Sequence, residues 1–140
     1  MREVDELAYD GIISRSELVD RLTQLFVRYQ ADWTRKNFDA MIEYIEPEFY
    51  AKQAQIFVNE FGENFDIIYH PEILEIIPIS YDCSSPQHVF QIQIDAQMIN
   101  FEISTEGYII SGEAYPRSFS EYWMIAVDDK KCVLMGIDQI

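Results

Sequence analysis

Basic residues are scarce in this sequence of 140 residues, which has 10 Lys and Arg against 25 Asp and Glu and a formal net charge of −15. A negative field of this size repels a phosphate backbone, so nucleic acid is not expected as a partner. The same charge argues against direct docking on anionic lipid head groups.

Cysteine is equally rare. Cys83 and Cys132 are far apart in the sequence and form no CxxC pair, which leaves zinc binding and thioredoxin-like chemistry without support. We expect reduced thiols, no metal and no cofactor. The sequence also contains no Asn-x-Ser/Thr sequon, so a reducing cytoplasm is the expected compartment.

Long hydrophobic runs are absent as well. No stretch approaches the roughly 20 apolar residues of a membrane span, and the first residues lack the apolar run of a signal peptide. The expectation is a soluble chain that is peripheral to a membrane only through a partner or a further upstream segment.

Apolar residues are abundant, at 49% of the chain, and aromatic residues make up 14%, which is typical of a globular domain. The length suits a single domain, expected over residues 14–140. The acids of residues 1–13 show little periodicity, so this segment is predicted to be a flexible acidic arm.

Three helices are predicted in the N-terminal half. Ser14 and Glu17 form a capping box at the start of the first helix, whose apolar stripe continues to about Lys36. Asn37 suits the N-cap of a short second helix. A third helix is predicted from Pro47, which favours a first turn, to Gly62, which favours a C-terminal cap.

About four or five antiparallel strands are predicted in the C-terminal half, which gives an α+β order. Pro71 and Pro116 are interpreted as boundaries, so the first strand is expected to begin at Ile73. Apolar and polar residues alternate from His88 to Met98, and the apolar phase then shifts, which predicts a β-bulge and strong curvature near Asn100. Turns are predicted at residues 82–86, 105–107 and 128–130.

Scattered positions in the helices and the predicted sheet carry a family resemblance. They are Ala31-Asp32-Trp33, Gly62, Asn64, Ile94-Asp95-Ala96, Asn100-Phe101, the hairpin from Gly107 to Gly112, Phe119-Ser120-Glu121-Tyr122-Trp123, Leu134 and Ile137. With three helices before a curved meander, these positions resemble the Tim44-like family, which has the nuclear transport factor 2-like cone fold. The resemblance spans roughly Leu18 to Ile140.

The resemblance implies a non-enzymatic binding or scaffolding module that holds a protein partner or an apolar ligand, as family members do beside a membrane or a translocation assembly. Direct lipid binding is not expected here, because residues 1–13 are acidic where relatives have basic or amphipathic segments. Cone folds also pair through the outer face of the sheet, so a homodimer is a further expectation, which the charge of −15 opposes.

A cone fold encloses a pocket between its helices and its curved sheet. The side chains expected near this pocket are Trp33, Tyr50, Phe57, Phe90, Glu121, Tyr122 and Trp123. The aromatic members would bind an apolar ligand. Alternatively they fill the space as core, which is the commoner role of aromatic residues at regular spacing.

The alternative function is a small cone-fold enzyme, of the isomerase or dehydratase type, with a carboxylate in an apolar pocket. Glu121 is the main candidate because it alternates in phase with Phe119, Trp123 and Ile125, and an inward position would raise its affinity for protons. The other titratable candidates are Asp95, His70 and His88. No catalytic residue is assigned, because no acid–base pair or nucleophile spacing is visible.

Half of the basic residues fall on the predicted first helix, where Arg21, Arg28 and Arg35 share one side at a spacing of seven residues. Such a stripe would bind an acidic protein partner. The alternative is a solvated helix face, because Glu17 and Asp32 each lie four residues before a base, in the favourable orientation for an ion pair.

Overall fold

The computed structural model describes residues 13–82, 88–127 and 131–140. Three helices come first: α1 (Arg15–Arg35), α2 (Phe38–Met41) and α3 (Pro47–Phe61). Four strands follow: β1 (Phe65–Asp82), β2 (His88–Ile103), β3 (Ile109–Val127) and β4 (Cys132–Gln139). The predicted α+β architecture, with helices before an antiparallel sheet, is confirmed.

Several predictions concern residues outside these ranges. The acidic arm up to residue 12, Cys83 and most of the turns at residues 82–86 and 128–130 are not among the described residues. Ile13, assigned above to the arm, is described and is only 3% exposed. It belongs to the core, because an apolar residue directly before an N-cap can pack on the first turns of the helix.

The predicted start of α1 is confirmed, since the Ser14 side chain accepts a hydrogen bond from the Glu17 backbone N–H at 3.1 Å. The short second helix, α2, is confirmed with Asn37 at its N-cap position, although the Asn37 side chain makes no capping hydrogen bond. α3 begins at Pro47 as predicted, but its cap is the Glu46 carboxylate, which accepts the backbone N–H groups of Glu48 and Phe49. These two bonds lower the pKa of Glu46.

The sheet is an antiparallel meander in the order β1-β2-β3-β4. The strand boundaries predicted at Pro71 and Pro116 were wrong, because both prolines lie inside strands. At Pro71 the chain forms a bulge, in which His70 has a φ of 51° and the register with β2 shifts by one residue. β1 is an edge strand, so the N–H that Pro71 lacks need not pair with a neighbour.

The irregularity predicted near Asn100 is confirmed, since the register between β2 and β3 shifts between Met98 and Asn100. On the opposite strand, Gly112 adopts a φ of 83°, a conformation that favours glycine. A Cβ atom at Gly112 would lie 2.5 Å from the Asn100 carbonyl oxygen. The two strands therefore approach each other closely at this point.

The core lies between α1 and one face of the sheet. Phe26 of α1 packs on Trp123 of β3 with ring centroids 5.4 Å apart, and both side chains are fully buried. The buried sheet face also contains Ile125, which shares the phase of Glu121, so the face of β3 that carries Glu121 is the inward one. The outer edge of β4 is partly covered by a short parallel bridge between Ile45 and Leu134.

Replacement of Gly112 by Ala is expected to lower the free energy of unfolding more than replacement of Gly107. Both glycines have positive φ, which alone costs an alanine about 1–3 kcal/mol. Only at Gly112 would the new methyl group also collide with a neighbouring backbone, because nothing lies within 4 Å of a Cβ at Gly107. Urea unfolding of both variants measures the difference, and equal losses would contradict the close approach of β2 and β3.

Candidate functional site

A cavity of about 900 Å³ lies between the helices and the sheet. Its walls come from α1, α3 and all four strands, and the cavity that the described residues form is partly open to solvent. Apolar side chains such as Ile68, Phe119 and Ile137 alternate around it with polar and charged groups. The cavity therefore combines an apolar surface with several hydrogen-bonding side chains.

Two of the seven side chains expected at a pocket, Trp33 and Glu121, line this cavity. Three others are at most 2% exposed and pack in the core: Phe57, Phe90 and Trp123. Tyr50 packs against the outside of the same core, and Tyr122 lies on the face of β3 opposite Trp123. Most of the predicted aromatic residues thus fill space under the helices and leave the cavity walls to other side chains.

Asp66 is a buried carboxylate on the cavity wall. Its two oxygens accept hydrogen bonds from the Trp33 indole N–H at 2.8 Å and from the Asn100 side-chain amide at 2.6 Å. Burial raises the pKa of Asp66, and the two hydrogen bonds oppose this effect only in part. The negative charges of Glu102 and Glu60 raise the pKa further.

Glu121 is a second carboxylate on the cavity wall and accepts the same two kinds of hydrogen bond. It is half-buried and accepts hydrogen bonds from the Trp123 indole N–H at 3.1 Å and from the Gln139 side-chain amide at 2.6 Å. Both tryptophans of the chain therefore donate their indole N–H to an acid that lines the cavity.

Tyr29 lies between the two tryptophans. Its ring stacks on Trp33 at 5.9 Å and meets Trp123 edge-on at 5.6 Å. Its hydroxyl oxygen accepts a hydrogen bond from the Gln53 side chain at 2.6 Å. Burial raises the pKa of Tyr29, and the charges of Glu121 and Asp66 add to the effect, so the phenol stays neutral.

Gln30 is the most unusual residue of the cavity wall. It is 5% exposed, and within the described residues its side-chain amide has no hydrogen-bond partner. A buried amide without a protein partner costs about 1–3 kcal/mol of stability. Sequence reasoning missed Gln30. The signal that could have found it is its position on the apolar stripe of α1, between Phe26 and Trp33.

The other titratable candidates lie away from the cavity as the described residues form it. Asp95 accepts hydrogen bonds from Gln93 and Ser120, which lower its pKa. His70 occupies the bulge of β1, and His88 Nδ1 lies 2.6 Å from the Tyr81 hydroxyl. None of these three side chains forms part of the site.

The basic stripe of α1 is largely paired within the chain. Arg21 bonds to Glu17 at 2.8 Å, and Arg28 bonds to Glu43 at 2.7 Å, whereas Arg35 is exposed. The ion pair expected between Asp32 and Lys36 is not formed. Lys36 instead donates to the carbonyl oxygen of Glu63, and Asp32 accepts the hydroxyl of Tyr44.

Neither protein-family models nor curated proteins give a match for this sequence. Among the described residues, no group of three or more His, Cys, Asp or Glu side chains could hold a metal ion. No helix in the described ranges is long and apolar enough to cross a membrane.

Replacement of Gln30 by Leu is expected to raise the free energy of unfolding by about 1 kcal/mol, because it removes a buried amide that has no partner among the residues that the structure describes. The matched control is Gln53→Leu, which removes the hydrogen bond to Tyr29 and should lower the free energy of unfolding by a similar amount. Urea unfolding measures both changes. A loss of stability in both variants would contradict this description of Gln30.

Proposed function

We propose that this chain is a binding module of the nuclear transport factor 2-like cone kind, related to Tim44-like domains, which holds a small organic molecule in the cavity between helices and sheet. Small-molecule sites have volumes of about 300–1,000 Å³ and mix apolar walls with a few convergent polar groups. The cavity, at about 900 Å³, has these properties.

The buried amide of Gln30 is the observation that carries the proposal. A polar group that is desolvated without a partner destabilises the empty protein, and a leucine of similar size would avoid the cost. A ligand that completes the hydrogen bonds of Gln30 accounts for a glutamine at this position, since residues that lower stability are typical of binding sites.

A protein partner is the other ligand class that the sequence suggests. For a module of that kind we expect a filled or purely apolar pocket, whereas this cavity is open and carries polar side chains. Two arginines of the basic stripe are also paired with acids of the same chain. A protein partner would instead use the exposed apolar side chains of the β2–β3 hairpin, among them Tyr108, Ile109 and Ile110.

An enzyme of the cone-fold type is the second candidate function, and Asp66 is the observation that favours it. Asp66 is a buried carboxylate with a raised pKa beside an open cavity, which is the environment of a group that moves protons. It would take the role that the sequence assigned to Glu121. In that case Asp66→Asn would lower the turnover of a bound compound by a larger factor than it weakens the binding of that compound.

Binding in the cavity can be tested with Nile red, an uncharged apolar dye whose fluorescence rises on transfer out of water. We expect one saturable site per chain. Ile56 is 42% exposed and lines the cavity, so Ile56→Trp should obstruct it and weaken binding by about tenfold or more. Val58 lies on the same helix, is 63% exposed and does not line the cavity, so Val58→Trp should bind like the unchanged protein.

The two tryptophan variants distinguish cavity binding from attachment to the exposed apolar surface. Equal affinity of both variants would show that the dye binds outside the cavity. Absence of saturable binding to the unchanged protein would contradict the proposed function outright.

A further inference from the structure

The charges around the cavity are unbalanced. Four acidic side chains line it, and Arg117 is the one basic side chain among the described lining residues. The Arg117 guanidinium donates from Nε and Nη2 to Glu113 at 3.1 and 2.5 Å, so its positive charge is paired with the Glu113 carboxylate. Glu60, Asp66 and Glu121 therefore face the cavity without a counter-ion from the described chain.

The carboxylates of Asp66 and Glu121 accept hydrogen bonds from neutral donors and not from cations. Asp66 is bonded by an indole and an amide, and the same two kinds of donor bond Glu121. Such donors fix the orientation of a carboxylate but leave its net charge in place. A carboxylate that is shielded from water is stabilised most by a nearby cation. The part of the cavity wall that carries Asp66 and Glu121 therefore favours a positively charged ligand group.

Aromatic surface lies beside these carboxylates. Trp33 is hydrogen-bonded to Asp66 and stacks on Tyr29, and Phe61 and Phe119 also line the cavity. Aromatic faces attract a positive charge and also provide apolar contact for an organic body. The same surface, next to uncompensated acids, disfavours fatty acids, phosphates and other anions.

Gln30 adds an independent indication of a hydrogen-bonding ligand. The residue is only 5% exposed, and both the oxygen and the nitrogen of its side-chain amide lack a hydrogen-bond partner among the described residues. The oxygen can accept a hydrogen bond from an N–H group, and the nitrogen can donate to a ligand oxygen. A ligand that carries N–H donors would therefore satisfy both the acids and Gln30.

We propose that the ligand of this cavity is a cationic amine with an aromatic or apolar body, whose ammonium group lies among Glu60, Asp66 and Glu121 and whose polar atoms bond to Gln30. This inference rests on the proposed function, because it names the ligand class for the same cavity. It goes further by setting the sign of the ligand charge and the residues that recognise it.

The test compares three probes that share one ring system and differ in charge: naphthylethylamine, naphthylethanol and naphthylacetate. Isothermal titration of the whole chain gives each affinity, and displacement of Nile red shows that the probe occupies the cavity. The amine is expected to bind about tenfold or more tightly than the alcohol, and the acetate is expected to bind most weakly.

Variants that neutralise single acids show which carboxylates bind the ammonium group of the amine probe. Glu60→Gln and Glu121→Gln should each weaken the amine about threefold to tenfold and leave the alcohol within about twofold. The matched control is Glu75→Gln, an exposed acid of β1 that does not line the cavity, which should leave amine affinity unchanged. This control measures how much amine affinity is lost when the net negative charge of the protein falls by one away from the cavity.

Each outcome decides the inference. Equal or tighter binding of the alcohol would overturn it. So would an equal reduction of the amine preference by Glu75→Gln and by Glu121→Gln. The inference would also be overturned if none of the probes displaced Nile red. In all three cases the proposed function would stand, provided that Nile red itself binds in the cavity. Failure of Nile red to bind would overturn the proposed function and the inference together.

Discussion

The hydrogen-bonded carboxylate of Asp66 links three elements of the fold. It accepts the indole N–H of Trp33 from α1 and the amide of Asn100 from β2, while it belongs itself to β1. The same Asn100 amide also donates to the carbonyl oxygen of Ile67, and its backbone lies against Gly112 of β3. Because the carboxylate is buried, removal of either donor would leave a desolvated charge only partly satisfied.

This arrangement relates the packed core to the open cavity. Trp33 contacts the aromatic cluster of α3 through one part of its ring, since its centroid lies 4.9 Å from that of Phe57, and it reaches the cavity wall with its N–H. Beyond it, Gln30, Asp66 and Glu121 line space that no side chain of the described residues fills. Stability therefore comes from the core on one side, and polar groups that cost stability are concentrated on the other.

Sequence reasoning predicted the helices well because their signals are local. The Ser14 cap and the first-turn Pro47 depend on chemistry within a few residues, and both were found where expected. The strands were harder, since a proline is tolerated at a bulge or an unpaired edge, and a single sequence does not show which strand is at the edge. Pro71 occupies such a position, so β1 begins at Phe65, eight residues before the predicted start.

The candidate site was predicted only in part, for a related reason. Aromatic residues indicate large apolar surface but not whether that surface is core or cavity. A glutamine on an apolar helix stripe, as at Gln30, instead indicates the wall of a site.

Native mass spectrometry of the chain purified from the cells that produce it tests directly whether the cavity binds a positively charged small molecule. We predict one small molecule per chain that is positively charged at neutral pH and is released on unfolding. A chain that carries nothing, or an anionic lipid in its place, would contradict the account.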